Sequence, residues 1–271
     1  MKYKKALQEY LATNIATRHT SNAAKFLDTF NRPKSKIISV DEVRANATIE
    51  GLKNLESLEF PCAPRIRDAF KLIQEKEWDE LAAHKLHERT NNRPFARLTL
   101  RQTVGSCGSE GISGAIMMTE EKQGQESEKL NAYALYGRVN GGRDNGSSPS
   151  DNVAAAIKYG IPSECVWPRS HGWRSKLSDE AITDALNHRP VEIFRVSDKI
   201  EYGTALFSGF AVYSGYRGHA WFGVDVLDTK RLLYKDSQGP DYGDDGFIVL
   251  KWSEIYWPYG AWAIRTAVRS S

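Results

Sequence analysis

The chain has 271 residues, enough for one large domain or for a domain with a substantial extension. Apolar residues make up 41% and charged residues 26%, with a formal net charge of +3, the balance of a globular protein that gives no reason to expect nucleic acid as a partner. No apolar run approaches the roughly 18 residues that cross a bilayer, so no membrane partner is expected either.

The opening stretch, MKYKKALQEYLATN, is charged and helix-forming and lacks the apolar core of a signal peptide. That predicts a cytoplasmic or virion-associated protein. Residues 1–92 read as a mostly helical region. Asp41 is placed to cap EVRANATIEGLKNLESL. Through APRIRDAFKLIQEKEWDELAAHKLHERT, Ile66, Phe70, Ile73 and Leu81 recur at helical spacing, with Trp78 near the same stripe. His84 and His87 lie three apart there, but no third ligand stands beside them, and neither a metal nor another cofactor is expected.

TNNRP, at 90–94, is a turn-like junction. It divides the chain into the helical region 1–92 and a second domain, 93–271. ARLTLRQTV alternates as a strand does. A helix is predicted from the 105–110 region through AIMMTEEKQ. GRVNGGRDNGSSPS is a glycine-rich loop without the spacing of a phosphate cradle. A second helix, DNVAAAIKYG, follows it with Ser150 or Asp151 as cap. Strands are predicted over VEIFRVS, ALFSGFAVY, HAWFGVDVLD, RLLYKD, GFIVLKW and GAWAIRTAV. Helices followed by an antiparallel sheet make the fold class α+β.

Three cysteines, Cys62, Cys107 and Cys165, are too few for a disulfide framework. Cys107 sits in TVGSCGSEGISGA, just where a helix is predicted to begin, and a helix N-terminus favours a thiolate. A nucleophile of this kind needs a base. His219 opens the strand HAWFGVDV after the turn YSGYRG, a position anchored by the sheet with the ring facing a cleft. Asp236 ends the next strand, 17 residues on, room for one strand, a turn and the return. Adjacent antiparallel strands would set Asp236 beside His219 as the group that orients its ring. On spacing alone, a buried cysteine and a structural histidine fit equally well.

Four segments resemble the papain-like cysteine peptidases over about residues 95–265. VGSCGSEGISGAIMMTEE is similar to the family's nucleophile segment, Q-G-S-C-G-S-C-W-A-F-S-A. NGSSPSDNVAAAIKYGIPSECVWP resembles its glycine-rich segment and following helix. GHAWFGVDV resembles its histidine strand, and YKDSQGPDYGDDGFIVL its K-N-S-W-G-x-x-W-G-x-x-G-Y-x-x-I. The resemblance implies a two-lobed fold, a helical lobe facing an antiparallel sheet or barrel lobe, with residues 1–92 as a helical extension. It implies hydrolysis of peptide bonds in a protein or peptide substrate. Cys107 would be nucleophile, His219 base, Asp236 orienter and Gln102 part of an oxyanion hole, while Gly146 and Ser147 would bind substrate backbone.

The match leaves two registers open. Without a gap, Cys107 falls on a structural cysteine of the family, Glu110 on the nucleophile and Val104 on the oxyanion glutamine. Shifted by three, Cys107 is the nucleophile. In the first register the domain would be an inactive scaffold, a structural or interaction module docked through its N-terminal helices into a large assembly such as a virus particle. Gln238 replaces the family's shielding tryptophan, so the His219–Asp236 pair is expected to be wetter than usual.

Overall fold

The protein is described by a computed structural model covering residues 40–58, 62–87, 92–126, 128–216 and 218–268. The helix expected in MKYKKALQEYLATN lies outside these residues. The α-helices among them are Val40–Ala45 (α1), Ile49–Glu56 (α2), Ile66–Ala69 (α3), Trp78–His87 (α4), Cys107–Lys122 (α5), Ala132–Val139 (α6), Pro149–Tyr159 (α7), Asp179–Leu186 (α8) and Lys199–Phe207 (α9). The strands are Arg189–Val196 (β1), Ala211–Tyr216 (β2), His219–Val226 (β3), Arg231–Lys235 (β4), Phe247–Lys251 (β5) and Ala261–Val268 (β6). They form one sheet in the order β1-β6-β2-β3-β4-β5, each neighbour antiparallel, and the fold is α+β.

Alternation along the strands gives the sheet two apolar faces. Tyr213, Phe222, Val224, Leu233, Trp262 and Ile264 turn to one face and pack with α5. Val212, Trp221, Leu232, Tyr234, Ile248 and Leu250 turn to the other. The two registers meet along β3, where a bulge between Gly223 and Asp225 shifts the pairing with β4. Helix α5 is buried from Cys107 through Glu120. It can lie so deep because small residues recur along it and let the sheet approach.

The outer face is covered from the N-terminal region. Ile66 of α3 and Trp78 of α4 are fully buried in the same core as Tyr202, Leu206 and Trp252. Arg65 makes a parallel bridge to Arg195 of β1, and Arg67 pairs with Glu201 of α9. Helices α1 and α2 instead meet the glycine-rich loop, where Thr48 N–H donates to Gly141 O at 2.7 Å.

Several expected elements differ. The helix expected through EVRANATIEGLKNLESL is two, because Thr48 accepts from Gly51 N–H and starts α2 afresh. The long helix expected from Ile66 onward stops at Phe70, which is extended, and resumes at Trp78. ARLTLRQTV is not a strand: its one bridge, Arg101 to Gln238, is too short a pairing to make a ladder. The first half of ALFSGFAVY ends helix α9, which Asp198 caps by accepting from Glu201 N–H. Helix α7 begins at Pro149 with Ser148 as N-cap, ahead of the expected caps. No helix among the described residues is long and apolar enough to cross a membrane.

Candidate active site

Cys107 is the first residue of α5, after Ser106 as N-cap. First-turn N–H groups have no acceptor within their own helix, and their partial positive charge favours an anion beside them. The Cys107 side chain is 2% exposed, whereas Cys62 and Cys165 are exposed, and all three are free thiols. Across from it, the β2–β3 hairpin pairs Tyr216 with His219 and sets the imidazole at the head of β3. Strand β4 returns antiparallel beside β3, with Lys235 opposite Phe222. Asp236 is the next residue, and its Oδ1 lies 2.8 Å from His219 Nε2. The ring also hydrogen-bonds the Cys107 side chain.

These neighbours set the charge of the ring. Burial disfavours the imidazolium, but the Asp236 carboxylate and the Cys107 sulfur favour it more, and together they push His219 up to about 10. The pair is dry rather than wet: the Asp236 side chain is fully buried and that of His219 is 12% exposed. Trp221, two residues along β3 and therefore on the same side as His219, sets its ring edge-on at 5.0 Å from the imidazole. It provides the cover that Gln238 cannot.

Glu110 lies one turn into α5, is 1% exposed, and lines a small cavity together with Trp221 and Asp236. Its carboxylate accepts from Ser106 Oγ at 3.2 Å and pairs with Arg169. Burial pushes its pKa up, and Arg169 pulls it partway back. Gln102 accepts from Ser237 Oγ at 2.6 Å through Oε1, and its Nε2 lies 3.4 Å from Val104 O. Its backbone N–H donates to Ser237 O at 2.8 Å, which ties the approach to α5 directly to the residue after Asp236.

The glycine-rich loop borders the same helix start. Asp144 Oδ1 accepts from Gly105 N–H and from Tyr136 OH, both at 2.8 Å, and Gly146 N–H donates to Tyr136 OH at 3.2 Å. Gly146 has φ +101°, a conformation that L side chains rarely adopt. Ser147 Oγ accepts from Asn152 Nδ2 at 2.8 Å, and Asn152 Oδ1 accepts from Ser109 Oγ at 2.6 Å. A side chain at Gly108 would meet this contact, since an added Cβ lies 2.5 Å from Asn152 Nδ2. Asp144, Tyr136 and Asn152 carry no sequence signal that marks them, because their partners lie across a loop. Trp221 does: alternation alone puts it on the His219 side.

Among the buried polar atoms at and around the site that lack a hydrogen-bond partner are Asp236 Oδ2, Trp221 Nε1, Tyr213 OH and Asp151 Oδ2. Burial raises Asp151 to about 6 against the pull of the Arg44 guanidinium. Burial also raises Tyr213, with Cys107 and Asp151 adding to the effect.

No protein-family model and no curated protein matches the chain. Solved structures do. Xylellain, a cysteine protease from Xylella fastidiosa, is 19% identical, with 87% of this chain and 98% of that one covered at a TM-score of 0.54. Digestive procathepsin L 3 of Tenebrio molitor larval midgut is 13% identical, with 97% and 99% covered at 0.58. The proform of the ragweed cysteine protease Amb a 11 is 16% identical, with 83% and 74% covered at 0.54.

Proposed function

The chain has a papain-like fold, and on that frame we propose that it is a cysteine peptidase cutting peptide bonds with Cys107 as nucleophile, His219 as base and acid, and Asp236 as the orienter of the ring. One observation carries this reading: the His219 ring bonds the Asp236 carboxylate and the Cys107 side chain at once. Glu110, the other candidate for the nucleophile position, is engaged by Ser106 and Arg169.

With Nε2 held by Asp236, Nδ1 serves the sulfur. The thiolate adds to the scissile carbonyl, and the carbonyl π electrons move to oxygen. The Cys107 N–H, and Gln102 once its amide turns from Val104 O, would stabilise that oxyanion. Collapse of the adduct expels the amine, which takes the His219 proton, and leaves a thioester. Water then adds with His219 accepting its proton, and the acid leaves as the thiolate returns. Gly146 and Ser147 are the proposed contacts for substrate backbone. The described part of residues 1–92 is read as a regulatory or docking region, on the strength of the Thr48–Gly141 hydrogen bond that seats α2 against the loop carrying them.

An epoxide or vinyl-sulfone probe tests the reading. It should label Cys107 in the wild type, labelling should vanish in His219→Ala, and a fluorogenic peptide should be cleaved only by the former. If Cys107 reacts no faster than Cys62 or Cys165 between about pH 5 and 8, where ordinary thiols are mostly protonated, the protein is an inactive scaffold.

A further inference from the structure

Arg169 follows Pro168 in a short 3-10 turn, and its guanidinium reaches three places at once. Nη1 donates to the carbonyl of Arg101 at 2.9 Å, Nε donates to Glu164 at 2.6 Å, and Nη2 pairs with the buried carboxylate of Glu110. The same group lies 4.7 Å from the centre of the Tyr133 ring. Tyr133 OH in turn accepts from Thr103 N–H at 3.0 Å, and Glu110 accepts from the Ser106 hydroxyl. Arg101, Thr103 and Ser106 thus each hang on one buried cluster. Between them lies the whole approach to Cys107, including Gln102.

We propose that Glu110 and Arg169 are positioning residues, a buried clamp that fixes the backbone of residues 101–106 so that the Gln102 amide, once turned from Val104 O, and the Cys107 N–H can converge on one oxygen. The proposal rests on the peptidase reading for its catalytic consequence. A free carboxylate at Glu110 would be costly, so its retention in a buried helix calls for a purpose beyond packing. Arginine suits this purpose and lysine does not, because only a planar fork can serve Arg101, Glu110 and Glu164 from fixed directions.

The test compares Arg169→Lys, Glu110→Gln and Tyr133→Phe with the wild type; the last removes no charge and guards against a folding failure. A fluorogenic peptide gives kcat and KM, iodoacetamide gives the reactivity of the Cys107–His219 pair, and amide hydrogen exchange reports the segment. The clamp predicts a kcat lower by roughly 10- to 100-fold, as displaced donors cause, with KM and alkylation within about threefold. Exchange should quicken in 101–106 and not in 219–226. An unchanged kcat in an active protein, or equal loss of kcat, alkylation and protection in both segments, would overturn it. Should the wild type cleave no peptide, the peptidase reading fails, yet exchange still decides: selective loosening of 101–106 upholds the clamp, and none removes it.

Discussion

A histidine raised to about 10 holds its proton through neutral pH. The stability it lends the fold is full below about 6.5, the ordinary histidine value, and is lost as pH rises through about 10. Its reactive consequence concerns sulfur. With an imidazolium at hand, Cys107 should stay near its maximal alkylation rate at about pH 6 and there outpace the exposed Cys62 and Cys165. Mass spectrometry of iodoacetamide-labelled peptides checks this, and His219→Ala should restore ordinary thiol behaviour to Cys107. Asp151 offers the opposite lesson. The fold prefers it protonated, so its contribution is full below 3.8 and lost as pH rises through about 6. Asp151→Asn should therefore raise stability at pH 7.5 by about 1–3 kcal/mol, with the gain vanishing near the pH of ordinary carboxyl titration. Melting curves at the two ends of the range decide it.

Helix α5 and the glycine-rich loop meet where Gly108 leaves no room for a side chain. A Cβ there would sit 2.9 Å from Ser147 Oγ as well as against Asn152, so Gly108→Ala should push the loop outward. The expected outcome is a several-fold higher KM for peptides with Cys107 alkylation nearly unchanged, read by steady-state kinetics. The β3–β4 pair was legible because alternation, a short turn and a 17-residue separation let adjacent antiparallel strands bring Asp236 beside His219. The end of α9 was not, since an apolar run such as ALFSGFAVY carries no period of its own. Asp198 before that helix and Gly209 after it, at φ +90°, were the available signals. Arg169 was illegible for another reason: its partner Glu110 lies 59 residues away, and only the folding back of an irregular segment joins them.

The molecule as a whole is built on a sheet with two faces, and the order of four sequence segments was enough to indicate this arrangement. What sequence could not convey is that residues well before the 90–94 junction help to close the outer face. Trp78 is fully buried, with its ring 5.1 Å from that of Trp252, and Gly203 is pressed against it. Trp78→Ala should cost roughly 3–5 kcal/mol, the usual loss for a large core aromatic, seen as a lowered denaturant midpoint.

That seat limits how the front of the protein can be shortened. A cut in the stretch between Glu56 and Arg65 would shed α1 and α2 and uncover the loop at Gly141, yet spare the bridge at Arg195 and the tryptophan beneath the sheet. A cut some twenty-five residues later would take that plug away with everything ahead of it. Any processed form that still melts cooperatively should begin at or before Arg65.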